Sequence, residues 1–144
     1  METKFNFNSA ICTNRQQSER LLALGLKKET ADMIYPSYTD MKSGKLLKVS
    51  DTPVVIYQLQ SCYDFPGWSL HRLIEMCPYV IRILPALHLT MTSDSVFYCT
   101  EDNNEDYEKS FSRYANMYDN YIECIAWLIK EGYFNKEYLE DGNN

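Results

Sequence analysis

Apolar residues in the last third of the chain recur at alternating spacings of four and three, which is the period of one helix face. This stripe consists of Tyr107, Phe111, Tyr114, Tyr118, Tyr121, Ile125 and Leu128. Gly132 follows at the position where a helix favours a left-handed residue, and Tyr133 is placed to contact Leu128, as in a Schellman ending. The pattern predicts a long C-terminal helix that ends near residue 131 and begins somewhere between residues 105 and 120.

The first third of the chain contains local signals for a short helix. Residues 13–16 match a capping box in which Thr13 caps and Gln16 reaches back, and Gly25 ends the helix. Residues 28–33 fit one further helical turn. Residues 36–52 are rich in serine, aspartate and lysine, with one proline and one glycine, so we expect a polar loop there.

The middle of the chain combines strand and helix patterns. A β-branched run predicts a short strand near 54–58, and a capped amphipathic segment predicts a second short helix over 69–77. Apolar and polar residues alternate over 86–100, which predicts a hairpin with its turn at Ser93 and Asp94.

These elements describe a single α+β domain over residues 1–144, with the C-terminal helix packed on the sheet. We expect an ordered core from about 12 to 134 and a tail from 135 to 144. Trp127 lies off the main stripe, so it either covers a sheet edge or faces a partner. The side chains expected in the core are Leu21, Leu22, Leu24, Trp68, Leu70, Leu73, Ile74, Leu89, Ile122, Ile125, Ala126 and Ile129.

The net charge of −6 is unevenly distributed. Residues 1–72 carry nine Lys/Arg and seven Asp/Glu (+2), whereas residues 73–144 carry five and thirteen (−8). The acidic half repels phosphate and disfavours nucleic-acid binding. No apolar run approaches the ~20 residues that cross a bilayer, and the start lacks a secretory signal pattern. Five cysteines without a CxxC motif indicate free thiols in a reducing compartment, so we expect a cytoplasmic protein.

Candidate chemistry is sparse. The acidic segment 102–108 lacks the glycine and the bidentate glutamate that a calcium loop requires. His88 and Cys99 would face each other across the predicted hairpin, and such a pair can form a thiolate nucleophile. No orienting carboxylate or oxyanion loop accompanies them in the sequence, so a packing role is favoured. We therefore expect no catalytic residue, no cofactor and no metal.

Residues 17–33 loosely imitate a helix-turn-helix with Gly25 in its turn. The second helix would be only about one turn long, and it carries Glu29 and Asp32, whereas a recognition helix needs length and donors for base edges. A DNA-associated regulator that uses 17–33 is therefore the alternative hypothesis, and an enzyme with an unrecognised site is the third.

Several helix starts and stops together resemble those of a group of small uncharacterised proteins from Bacteroides-type gut bacteria, often encoded in prophages or other mobile elements. The motifs that carry the resemblance are RLLALGL at 20–26, TADM at 30–33, PGWSL at 66–70, IEM at 74–76 and AWLIKEGY at 126–133. The group has no known activity and no catalytic residues to carry over. The resemblance implies a cytosolic accessory protein of bacterial or phage origin.

The leading hypothesis is a non-enzymatic protein-interaction module. Half of the twelve tyrosines lie at or after Tyr107, and tyrosine is enriched at interfaces because it joins apolar area to a polar tip. The aromatic stripe is either core or interface. A helix that began at Tyr107 would project past the sheet, and its exposed side would then contact a protein partner or a second copy. The residues expected in that contact are Tyr107, Phe111, Tyr114, Tyr118 and Trp127.

Overall fold

The computed structural model describes residues 10–56 and 64–141, which form three α-helices and nine short strands. The helices are α1 (Arg15–Ala23), α2 (Leu70–Met76) and α3 (Met117–Glu131). The strands are β1 (Met33–Tyr35), β2 (Ser37–Thr39), β3 (Leu46–Val49), β4 (Val54–Val55), β5 (Phe65–Gly67), β6 (Val80–Ile81), β7 (Leu87–Met91), β8 (Val96–Cys99) and β9 (Lys109–Phe111). The predicted α+β class is confirmed.

Three antiparallel sheets organise the strands. The largest has the order β6-β7-β8-β9, a second has the order β4-β1-β5, and β2 pairs with β3 alone. The predicted hairpin is confirmed in its register, since His88 lies opposite Cys99 and Leu89 lies opposite Tyr98. Helix α3 packs on β8 and β9 and also contacts α1 and α2, so it is the centre of the fold.

The core lies between α3, the large sheet and the N-terminal helix. Five of the expected core residues are buried, namely Leu21, Trp68, Leu73, Ile122 and Ile125. Six more are partly buried and pack against the core: Leu22, Leu24, Leu70, Ile74, Leu89 and Ile129. Ala126 is also only partly buried, and it lies outside this cluster. Tyr98, Tyr121 and Leu128 complete the buried centre.

Helix α1 has a capping box, but its register is one residue later than the sequence suggested. Asn14 is the N-cap, and its side chain and that of Gln17 make the reciprocal bonds. Thr13 is fully buried instead; its hydroxyl accepts a hydrogen bond from the Trp68 backbone N–H at 3.0 Å. The Thr13 hydroxyl, which the sequence pattern assigned to the helix cap, therefore binds the distant Trp68 backbone instead. The predicted helix end at Gly25 is confirmed: Gly25 has φ of 102°, and the Leu26 N–H donates to the Leu21 carbonyl at 3.2 Å.

Helix α3 begins at Met117, within the expected range, so the aromatic stripe is not one helix face. Tyr107 lies in a 3-10 turn, and Phe111 belongs to β9, which pairs with β8. The side chain of Asn120 holds the intervening loop: it accepts from the Tyr114 N–H at 3.0 Å and donates to the Tyr114 carbonyl at 2.9 Å. The end of α3 is as predicted, because Gly132 has φ of 79°.

Two other expectations are wrong. Residues 36–52 are not a polar loop, because they contain the β2–β3 hairpin. Residues 17–33 are not a helix-turn-helix, because α1 is followed by a 3-10 turn (Lys28–Thr30) and then by β1, so backbone pairing of β1 replaces the second helix.

The expected tail and the expected strand near 54–58 also differ from the structure. The C-terminal segment packs on the body as far as residue 140: Leu139 is buried and bridges to Leu26, and the Glu140 N–H donates to the Gly25 carbonyl, so this segment is not a tail. Strand β4 covers only Val54–Val55. Residues 57 and 58, and Cys62, lie outside the described residues.

Candidate functional site

The five aromatic residues expected at a partner contact have different roles in the structure. Phe111 and Tyr118 are buried, and the Tyr118 hydroxyl donates to the Ala10 carbonyl at 2.8 Å. Trp127 packs against the rings of Tyr98, Phe111 and Tyr133, with centroids 5.7–5.9 Å apart. Tyr114 is partly buried, and only Tyr107, at 50%, is strongly exposed. Trp127 thus covers β9 at the sheet edge, and most of the aromatic surface contributes to core packing.

His88 and Cys99 are neighbours across the hairpin, yet their side-chain contacts go elsewhere. The Cys99 Sγ lies 3.7 Å from the Thr90 Oγ1, and the His88 Nε2 lies 3.7 Å from the Glu101 carboxylate. An adjacent open cleft of about 460 Å³ includes His88 and Asp102. The hydrogen bond from the Thr100 hydroxyl lowers the pKa of Asp102, which therefore stabilises its own loop. Among the described residues, no hydrogen bond or ion pair therefore places a base beside the Cys99 thiol.

A group of thiols and phenols is buried beneath α3. Cys77 and Cys124 are free and buried, and Tyr98 and Tyr121 are fully buried beside them. Contact with the Cys77 sulfur and burial both raise the pKa of Cys124. A protonated thiol is a weak nucleophile and a weak metal ligand. Within the described part of the chain, no three His, Cys, Asp or Glu side chains are grouped to hold a metal ion.

The β2–β3 hairpin, which the sequence analysis missed, exposes several large apolar side chains near its end. Every residue from 41 to 48 is exposed. Met41 is fully exposed, Leu47 is 68% exposed and Leu46 is 42% exposed, so three large apolar side chains within residues 41–48 face solvent. We call residues 41–48 the hairpin tip.

Local turn chemistry defines the tip. The Asp40 carboxylate accepts from the Lys42 N–H at 2.8 Å, and the Asp40 carbonyl accepts from the Gly44 N–H at 2.7 Å. Gly44 has φ of 70°, where its missing side chain avoids strain. The Asp40 N–H donates to the Lys45 carbonyl at 2.8 Å and closes the loop. The tip is therefore a defined turn.

The base of the hairpin is anchored to the body. Asp64 is buried, and its carboxylate accepts from both the backbone N–H and the hydroxyl of Ser37, at 2.9 and 2.8 Å. The Ser50 N–H donates to the Pro36 carbonyl at 2.7 Å. The two strands thus leave the body from a fixed point.

The hairpin exposes apolar side chains on both of its strands. Tyr38 pairs with Lys48 and Thr39 pairs with Leu46, and the register shift between these two pairs interrupts the regular strand alternation. Tyr38 is half exposed, and the Lys48 Nζ lies 5.7 Å from its ring centroid. Every residue from 41 to 48 is exposed, so the end of the hairpin is not covered by the described part of the body.

The charge of the tip is positive. Residues 41–48 include Lys42, Lys45 and Lys48 and contain no Asp or Glu. The strongest opposite feature is the segment 101–108, which we call the acidic segment. Its five carboxylates are exposed, and it contains no Lys or Arg: Glu101, Asp102, Glu105, Asp106 and Glu108. The sequence signal for the hairpin was a Gly-containing turn flanked by Tyr38 and by the apolar run of β3.

No protein-family model, curated protein or solved structure matches this chain. Among the described residues, no helix combines the length and the apolar character needed to cross a membrane. The proposed function therefore rests on the geometry of the hairpin tip and of the acidic segment.

Proposed function

We propose that this protein is a non-enzymatic protein-interaction module that binds an acidic partner surface through its hairpin tip. The observation that carries the proposal is the uninterrupted exposure of residues 41–48, a stretch that combines Met41, Leu46 and Leu47 with three lysines.

The exposed apolar side chains favour a partner on energetic grounds. A two-stranded hairpin is marginally stable in water, because little apolar surface is buried between its strands. Full burial of a Leu or Met side chain contributes roughly 1.5–3 kcal/mol. A partner that covers Met41, Leu46 and Leu47 therefore stabilises both the complex and the hairpin itself.

The charge of the tip indicates the chemistry of the partner. Lys42, Lys45 and Lys48 form no ion pair within the described residues, where the Lys and Arg side chains that pair with a carboxylate are Arg15 and Arg20. An acidic protein surface would neutralise these lysines while their aliphatic stems add apolar contact. Binding should therefore weaken as salt is added.

The proposal is tested by placing a photo-crosslinking amino acid at Leu47 in the cells that naturally make the protein. The matched control carries the same amino acid at Leu84, which is also fully exposed but lies outside the hairpin tip. We expect a discrete protein adduct from position 47 that is absent from position 84. Lys42→Glu with Lys45→Glu should abolish it.

The captured protein is then purified, and its affinity for the wild type and for the Lys42→Glu, Lys45→Glu variant is measured. An affinity at least tenfold lower for the variant supports the proposal. Equal adducts at both positions, or none at position 47, would overturn it. Binding of the tip to vesicles rich in phosphatidylserine, without any protein adduct, would also overturn it in favour of a membrane role.

The biological setting belongs to the same proposal. The resemblance noted above supports an accessory role in the cytoplasm of a bacterium or in its phage. Gene neighbourhood tests this setting, because phage structural, replication and defence genes cluster by role. A neighbourhood of unrelated metabolic genes would contradict it.

A further inference from the structure

We infer that the acidic surface bound by the hairpin tip is the acidic segment of a second copy of this chain. This inference rests on the proposed function, since it names the partner of the same site. It joins the two most strongly and oppositely charged exposed surfaces that the structure describes.

The acidic segment is held in a defined conformation with its charges directed to solvent. The Asn104 side chain accepts from the Asp106 N–H at 3.1 Å and begins the 3-10 turn Glu105–Tyr107. Glu105, Asp106 and Glu108 form no ion pair within the described residues. Asn103, with φ of 55°, precedes this turn. The carboxylates thus lie on a structured loop.

The acidic segment also offers an apolar contact. Tyr107 lies among the carboxylates and is 50% exposed, without a ring contact among the described residues. Met41 and Leu47 of the hairpin tip lie among lysines in the same manner. A contact between the two surfaces would therefore match charge with charge and apolar area with apolar area.

The two surfaces do not neutralise each other within one molecule. Residues 41–48 are all exposed, and so are all five carboxylates of the acidic segment. Within one molecule the complementary charges therefore stay apart, and both surfaces are accessible to a second copy. If the same two copies exchange both contacts reciprocally, they form a closed two-fold pair, whereas a head-to-tail arrangement gives a ring or an open chain.

The test uses the purified full chain and measures its mass by light scattering at about 50 mM and about 1 M salt, where the Debye lengths are about 14 and 3 Å. We expect association at low salt and monomers at high salt. The tip variant carries Lys42→Glu, Lys45→Glu and Lys48→Glu. The segment variant carries Glu101→Lys, Glu105→Lys and Glu108→Lys. Each variant alone should be monomeric, with association weakened at least a hundredfold.

The decisive measurement is an equimolar mixture of the two variants. Reversed charges on the tip of one variant then face reversed charges on the segment of the other, so the mixture should associate again. A third variant, with Arg82→Glu, Lys130→Glu and Lys136→Glu, has the same net charge as the tip variant and reverses exposed cations elsewhere. It should associate like the wild type. Circular dichroism of every variant confirms that it is folded.

A monomeric wild type at low salt, or a mixture that stays monomeric, would overturn the inference. Equal weakening in the tip variant and in the Arg82, Lys130 and Lys136 variant would also overturn it, because net charge would then be the cause. The crosslinking experiment tests the proposed function separately. The proposed function fails if position 47 yields no adduct. If that adduct contains a different protein, the proposed function holds even when the wild type is monomeric.

Discussion

Two tyrosines in the same core differ in what their hydroxyls contact. Both Tyr98 and Tyr121 are fully buried. The Tyr98 hydroxyl donates to the Pro78 carbonyl at 2.7 Å, whereas the Tyr121 hydroxyl has no hydrogen-bond partner among the described residues. Burial of an unpaired hydroxyl costs free energy, so these two hydroxyls should have opposite effects on stability.

We predict that Tyr98→Phe lowers the free energy of unfolding by about 1–2 kcal/mol, because it leaves the Pro78 carbonyl unpaired. Tyr121→Phe should leave it unchanged or raise it by up to about 1 kcal/mol. Urea unfolding followed by circular dichroism measures both changes. Equal losses in the two variants would contradict the assignment of hydrogen bonds.

The N-cap of α1 is a feature that the sequence alone could not predict. Asn14 and Thr13 are both good N-cap residues, and local preference alone does not choose between them. The choice depends on the Trp68 backbone, which lies 55 residues further along the chain and binds the Thr13 hydroxyl. Gly25 and Gly132 were predicted correctly, because a left-handed helix end is a local property of glycine.

At the scale of elements, strand β9 occupies residues that the aromatic spacing assigned to the N-terminal end of the predicted helix. The aromatic spacing fits a helix from Tyr107, yet Lys109–Phe111 pairs with β8 and interrupts it. Strand pairing between distant segments leaves no period in the sequence, whereas the helix end at Gly132 is encoded locally. The beginning of α3 was therefore uncertain in the sequence, and its end was not.

The divided stripe gives a second prediction. Phe111 is buried against Trp127, with ring centroids 5.9 Å apart, whereas Tyr107 is half exposed. Phe111→Ser should lower the free energy of unfolding by about 3 kcal/mol or more, as for large-to-small changes in a core. Tyr107→Ser should change it by less than about 0.5 kcal/mol.

Chemical denaturation at high salt, where we expect monomers, measures both stabilities without a contribution from association. Tyr107→Phe serves as the control for loss of the hydroxyl alone. Similar losses in the Ser variants of Phe111 and Tyr107 would show that the stripe is one packed surface after all.

At the scale of the whole molecule, the α+β class and most of the core were predictable, but the main exposed surface was not. Burial patterns mark strands because one face is apolar and the other is polar. The β2–β3 hairpin buries so little that this contrast is missing, and Lys42, Lys45 and Lys48 make its composition polar. Sequence patterns therefore identified the packed core and missed the β2–β3 hairpin, whose end is exposed to solvent.

The core phenols predict how the whole molecule responds to alkaline pH. Burial raises the pKa of Tyr35, Tyr98, Tyr118 and Tyr121. The unfolded chain releases these protons near pH 10, while the folded chain keeps them, so the free energy of unfolding falls as pH rises above about 10. Each of the fully buried residues Tyr98 and Tyr121 contributes a slope of up to about 1.4 kcal/mol per pH unit.

Urea unfolding at several pH values between about 8 and 11 measures this slope. The double variant Tyr98→Phe, Tyr121→Phe should flatten it. Burial also raises the pKa of Cys12, so a shallower decline should begin nearer to pH 8.5, where an ordinary thiol ionises. A stability that is constant to pH 11 would show that these phenols ionise freely in the folded protein.

The contact between Leu26 and Leu139 joins two segments that are synthesised at very different times, so we expect it to form late in folding on the ribosome. The Lys27 N–H donates to the Tyr138 carbonyl at 2.9 Å, and the Glu140 N–H donates to the Gly25 carbonyl at 2.7 Å. The ribosome makes one side of this junction early and the other more than a hundred residues later, a separation like that of the Arg20–Glu123 pair. Helix α1 therefore emerges long before its surroundings exist, and the nascent chain completes its fold only when residues 138–140 have left the ribosome.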